Sequence, residues 1–260
     1  MRTQARNSFV DDVPVTDVVN VVGRYRLPSD VVHELLAVLA DEPGVVVCDL
    51  DGMAPTQASL GEVFAPVAHY LHHWSGALVV VRLPVHAANK FPQFPDRLPV
   101  NFRVQRAGSG DPLAGCTPQA PLEHTRTCML PAASVAADAR AETRRILGSW
   151  GMNRLADPAC VVVSELVTRS FLQSRGLLDL NLSRLGTQLR AAVGDRGAGL
   201  PAAPAAGGPG LLDDRASQLL DALTRAWGVL PTRSGGKQVW TVLDQHQPRP
   251  GWYDDRVSVW

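Results

Sequence analysis

Three short segments carry the residue types with the most chemistry in them. Ser164-Glu165-Leu166-Val167-Thr168-Arg169 sets a carboxylate and a guanidinium four residues apart. Asp195-Arg196-Gly197-Ala198-Gly199 sets a carboxylate ahead of two glycines, and Gly235-Gly236-Lys237-Gln238 sets two glycines ahead of an ammonium group. Glu165 and Arg169 fall on a predicted helix in the favourable order for an i to i+4 ion pair, so each can satisfy the other. Arg169 stays protonated and has no acceptor, so it cannot serve as a metal ligand. A guanidinium at that position therefore repels a divalent metal, yet it pairs well with phosphate oxygens. Asp195, Gly197 and Gly199 follow a predicted strand, where Asp and Gly also serve as plain turn formers.

Two other groups of side chains invite chemistry. His69, His72 and His73 share a predicted helix, and i, i+3 spacing puts His69 and His72 on one face. No Cys or acidic triad accompanies them, and beside Tyr70 and Trp74 they read more simply as the edge of an amphipathic surface, so no metal site is assigned. Ser59 and Thr56 stand near a helix N-terminus, where an added phosphate would be stabilised. The plainer reading of Ser59 is a helix cap.

Alternating strand and helix signals must position these residues, from Val13 to about Gln105, the pattern of an α/β layer structure. A first strand is predicted over Val18 to Arg26. A helix capped by Ser29 or Asp30 carries Val32, Leu35, Leu36 and Leu39, and a buried strand follows over Val45 to Leu50. A second helix spans about Ser59 to Trp74, a strand spans Ala77 to Leu83, and a short helix lies near His86 to Lys90. The segment from Arg97 to Phe102 closes this part. Gln105 to Glu123 is rich in Gly and Pro and reads as a linker. Beyond it, amphipathic helices are predicted over Ala133 to Trp150 and Pro158 to Ser174. A hairpin of Leu178 to Leu182 with Gln188 to Val193 delivers Asp195 to a loop. Gly199 to Gly210 has too much Ala, Gly and Pro for regular structure. A helix over Asp214 to Trp227 and a strand over Gln238 to Leu243 complete the pattern.

Lys plus Arg and Asp plus Glu both total 25 in the 260 residues, so no overall field favours nucleic acid or a membrane surface. Apolar runs such as Gly76 to Val81 are far shorter than the roughly 20 residues of a membrane span. The four cysteines, Cys48, Cys116, Cys128 and Cys160, form no CxxC pair, and the N-terminus has no apolar stretch of signal-peptide type. A cytoplasmic protein is the expectation.

In order and spacing, the three opening segments resemble the nucleotide site of the GHKL ATPases, in the branch of anti-sigma-factor serine kinases. The resemblance spans about His124 to Leu243 and includes Leu130-Pro131, Asp221-Ala222-Leu223 and Trp227-Gly228. It implies Glu165 as the general base of phosphoryl transfer to a serine hydroxyl or a water, a reaction that needs mainly positioning and charge neutralisation. It implies Asp195, Gly197 and Gly199 as the adenosine contacts and Gly236 and Lys237 as further nucleotide contacts. ATP and Mg²⁺ are the implied cofactors if the site works, and none otherwise. Three positions depart from the family pattern. The metal-binding Asn is Arg169. The glycine-rich phosphate box aligns to Asp214-Arg215-Ala216-Ser217, and the hydroxyl residue usual after Gly-Gly-Lys is Gln238.

Val13 to Gln105 resembles the STAS domain of anti-sigma-factor antagonists, on Gly23-Arg24-Tyr25-Arg26-Leu27 and on Val45 to Met53. Where that family carries its phosphate-accepting Ser, the ungapped position is Ala58, and Ser59 is the candidate acceptor after a one-residue shift. The fold class so implied is α/β in two domains. A STAS-like mixed sheet with helices takes residues 1–106, a linker 107–123, a GHKL α/β sandwich 124–245 and a C-terminal tail 246–260. The implied function is a regulator of the partner-switching type that binds proteins through a degenerate ATP site. The alternative is an active ATP-dependent protein serine kinase. Expected partners are a sigma factor or anti-sigma and antagonist proteins, with an intramolecular contact between the two modules and a homodimer as further associations, and neither nucleic acid nor a membrane.

Overall fold

Runs of β-branched residues bounded by charge or turn residues build the first sheet. The computed structural model describes residues 5–7, 15–20, 28–41, 45–50, 63–83, 99–106, 123–174, 176–195 and 214–246. Strands β2 (Val15–Asn20), β3 (Val45–Asp49), β4 (Leu78–Leu83) and β5 (Phe102–Arg106) lie side by side in that order and are parallel throughout. A mixed sheet is the sequence expectation for this part. The interior strands β3 and β4 are buried at Val46, Val47, Cys48, Val79, Val80 and Val81, as parallel strands covered on both faces are.

Helix α1 (Pro28–Asp41) begins on a proline, which loses nothing there because the first N–H groups have no partner in the helix. It buries Val31, Val32, Leu35, Leu36 and Leu39. Helix α2 (Ala65–His73) buries Val67, Tyr70 and Leu71. Asn101 immediately precedes β5, in the segment expected to close this part. Its Nδ2 donates to Trp74 O at 3.0 Å and Ala77 O at 2.7 Å, holding the turn so that pairing begins at Phe102. Ser59, Thr56 and Ala58, the predicted helix near His86 to Lys90, residues 21–27 and most of the predicted linker lie outside the described residues.

The second sheet is antiparallel, in the order β1 (Ala5–Asn7), β6 (Glu123–Met129), β7 (Leu178–Leu185), β8 (Gln188–Asp195), β10 (Lys237–Asp244) and β9 (Ala226–Pro231). The predicted hairpin is β7 and β8, closed by Gly186 at φ 58°, where a left-handed residue turns the chain and glycine is favoured. Helices α3 (Val135–Ser149), α4 (Ala156–Ser174) and α5 (Asp214–Leu223) cover one face of this sheet, meeting Leu178, Leu180, Leu182, Ala191, Val193 and Val239 in one apolar cluster. Sequence periodicity carries α5 to Trp227, but the helix stops at Leu223. Thr224 N–H still bonds back to Leu220 O, whereas Arg225 N–H bonds to Val242 O at 2.7 Å, so the chain passes from helix to strand there. Strand β9 then pairs with β10 from Ala226 to Pro231. The strands β1 and β6 have no counterpart in the sequence reading.

The other face of the antiparallel sheet meets α1 and α2. One apolar cluster runs from Val46 and Val79 through Leu36, Tyr70 and Leu71 to Leu230, Trp240 and Val242. Tyr70 meets Trp240 edge to face at 5.1 Å between ring centroids. The architecture is mixed α/β, with a parallel sheet, an antiparallel sheet and, among the described residues, five α-helices.

Candidate functional site

Helix α4 presents its buried stripe of Ala159, Val162, Val163, Leu166, Val167 and Ser170 to the sheet, at the three- and four-residue spacing of a core-facing helix. Glu165 and Arg169 flank that stripe, with side chains 29% and 23% exposed. Arg169 Nε donates to Glu165 Oε1 at 2.7 Å, so the i to i+4 pair foreseen from spacing is formed. Gln173 continues the same line one turn on, since residues at i, i+4 and i+8 share a helix face. Lys237 Nζ donates to Gln173 Oε1 at 2.5 Å, which ties the start of β10 to the end of α4.

Asp195 ends β8 opposite Lys237 and is 4% exposed. It shares strand parity with Ala191 and Val193, the face turned to the helices. Gly236 stands against it so closely that a Cβ there would lie 1.9 Å from Asp195 O. The turn that brings Gly236 in is self-bonded. Gly236 N–H donates to Thr232 Oγ1 at 3.1 Å, Gly235 N–H donates to Thr232 O at 3.0 Å, and Gly235 adopts φ 82°. The two glycines thus have separate reasons, one conformational and one steric.

The structure therefore gathers Asp195, Gly236, Lys237 and Gln173 at one end of the sheet, with the Glu165–Arg169 pair along the adjoining helix line. Gly197 and Gly199 lie outside the described residues, as does the side chain of Asp214. Ala216, in the segment aligned with the phosphate box, is fully buried on α5. Gln238 points to the opposite face of the sheet, where its Oε1 accepts from Arg190 Nη2 at 2.6 Å. Gln238 is thus tied to the packing of that other face. Gln173 escaped the sequence reading, although its spacing from Glu165 and Arg169 is the signal that places it. Arg190 escaped as well. A lone arginine in a strand whose same-face neighbours are Ala192 and Gly194 was the clue.

The imidazoles of α2 meet edge to face, with His69 and His72 each 5.0 Å from His73 between ring centroids. Burial pushes His73 down to about 4, helped by His69, His72 and Arg225. Burial also lowers His69. Among the described residues no group of three or more His, Cys, Asp or Glu side chains is placed to hold a metal ion. No described helix is long and apolar enough to cross a membrane.

No family model matches the chain, and no curated protein matches it.

Proposed function

We propose that the protein is a regulator of the partner-switching type, anti-sigma-factor or antagonist-like, which acts in the cytoplasm by binding proteins and whose nucleotide site is degenerate. The observation that carries this reading is the Arg169–Glu165 ion pair at 2.7 Å. By the resemblance, position 165 is the base and position 169 supplies a metal ligand, and one contact compromises both. The carboxylate is held by a cation, and a divalent metal about 4 Å from that cation would meet repulsion on the order of 4 kcal/mol per unit charge product at an effective dielectric near 20. ATP and Mg²⁺ are accordingly not working cofactors here. The surfaces are retained: Asp195, Gly236 and Lys237 stay in register, and α1 and α2 pack on the sheet behind them. That packing supports an intramolecular contact between a STAS-like N-terminal part and a GHKL-like C-terminal part. The partner is a sigma factor or an antagonist protein, and Ala58 at the acceptor position matches a chemistry given up on the substrate side too.

The test is a titration of the full chain with ATP, with and without Mg²⁺, on wild type and Arg169→Asn. Wild type should show no Mg²⁺-dependent binding, and Arg169→Asn should gain it. Tight, Mg²⁺-dependent binding by wild type overturns the degenerate reading in favour of a kinase, and labelled phosphate transfer to a candidate partner would then follow.

A further inference from the structure

The last two turns of α2 gather three imidazoles at the end of the helix that lies on the antiparallel sheet. His69 and His72 are exposed, His73 is half-buried, and both outer rings meet the His73 ring at 5.0 Å between centroids. The Nδ1 of His73 is buried and has no hydrogen-bond partner. As a neutral ring His73 can leave that atom a bare lone pair. As an imidazolium it must bury an N–H that has no acceptor, and that is costly.

The elements packed against α2 offer a proton on the cluster no counter-charge. Arg225, just before β9, acts on His73 as a like charge. On β10 the carboxylate of Asp244 is held by Arg225 Nη1 at 3.6 Å. On β8, Arg190 lies 5.7 Å from the centroid of the Tyr70 ring, and the neutral Gln188 accepts from Ser75 Oγ at 3.4 Å. On α1, Glu34 is engaged by Arg233 Nη2 at 4.0 Å, and Asp30 and His33 are exposed. Among the described residues no carboxylate pairs with any of the three imidazoles. Burial and the neighbouring cations therefore hold His73 down at about 4, and burial with His72 lowers His69. On a helix lifted from the sheet the same rings titrate near the ordinary value of about 6.5, and a cation at a helix C-terminus is favoured. The docked helix is the form with the lowered values, so it is favoured above about pH 6.5 and loses that advantage as the pH falls toward 4.

We propose that His69, His72 and His73 make the seat of α2 on the antiparallel sheet an acid-sensitive latch, closed while the imidazoles are neutral and released when they take up protons against Arg225. Release lifts Tyr70 from Trp240 and uncovers that apolar part of the sheet. The latch lies on the sheet face opposite the Asp195 and Lys237 site and does not depend on whether that site binds a nucleotide.

Hydrogen exchange of the full chain between about pH 7.5 and pH 5, corrected for the intrinsic pH dependence of exchange, tests this. The opening equilibrium of the α2 amides from Ala68 to Trp74 should rise about tenfold at the lower pH, while the α4 amides stay protected. The rise should vanish in His73→Gln, shrink in His69→Gln and Arg225→Gln, and persist in His124→Asn, which removes a buried imidazole elsewhere on the sheet. Should His73→Gln fail to fold, His69→Gln and Arg225→Gln decide. The latch is overturned if α2 protection does not change with pH, if α2 and α4 lose protection together, or if the rise is lost in His124→Asn. An undiminished rise in His73→Gln, or in both of the variants that stand in for it, overturns it as well.

Discussion

Gly236 and Asp195 touch backbone to backbone: a single added carbon on Gly236 would fall 1.9 Å from the Asp195 carbonyl oxygen and 3.2 Å from its Oδ1. The obstructing atoms belong to a central strand and cannot swing aside as a side-chain end would. Gly236→Ala should therefore lie at the severe end of overpacking substitutions, costing about 3 kcal/mol. Gly194→Ala, whose nearest contacts are at 3.9 Å, is the matched control and should be nearly neutral. Denaturant unfolding of both variants measures the difference, and equal midpoints would refute the close approach.

The Arg169–Glu165 pair should matter little for folding, although the proposed function rests on it. Both side chains keep solvent contact, at 23% and 29% exposure, so screening limits the energy of the pair. A double-mutant cycle of Arg169→Ala and Glu165→Gln should give a coupling of about 0.3–0.5 kcal/mol. A coupling several times larger would mean that the pair is part of the folding core and not a separable feature of the site.

Much of this arrangement was legible in residue order, and the failures have physical causes. Valine runs such as Val45-Val46-Val47 identify buried strands because both faces are covered, and the β7–β8 hairpin shows itself through alternation and Gly186. The helix over-run to Trp227 arose because Leu219, Leu220, Leu223 and Trp227 keep helical spacing. A tertiary bond, Arg225 N–H to Val242 O, overrides that local pattern. Strand β6, Glu-His-Thr-Arg-Thr-Cys-Met, is mostly polar and only partly buried, so hydrophobic alternation gave no signal for it. In the site, the Glu165–Arg169 spacing was readable, since i to i+4 geometry is local. The Lys237–Gln173 bond was not, because it joins residues 64 positions apart.

Tyr70 and Trp240 make the seam between α2 and the antiparallel sheet, both almost fully buried and 89° apart in ring plane. Truncating either ring leaves a large void, and Tyr70→Ala or Trp240→Ala should cost about 3–5 kcal/mol. Tyr70→Phe keeps the ring and removes only the hydroxyl beside Arg190, so it should cost no more than about 1 kcal/mol. Thermal or denaturant unfolding of the three variants, monitored by tryptophan fluorescence, checks the contrast. A mild effect of both alanine variants would show that the seam is not part of the cooperative core.

His124 sets the pH dependence of the sheet. Its Nδ1 lies 2.8 Å from Ser183 Oγ, and burial, reinforced by the nearby Arg190 and Arg126, pushes it down to about 4. The unfolded chain holds this proton near the ordinary value of about 6.5, so between those limits the unfolded state binds more protons than the folded one. Stability must then rise with pH from about 4 to about 6.5 and level off above that, as far as this group is concerned. His73, also pushed down to about 4, contributes in the same direction, though its partial exposure weakens its share. Urea midpoints measured from pH 4 to 8 should show this slope, and His124→Asn should flatten it. A midpoint that falls with rising pH across that window, or an unchanged slope in His124→Asn, would mean that the buried imidazole at position 124 is not neutral in the folded protein.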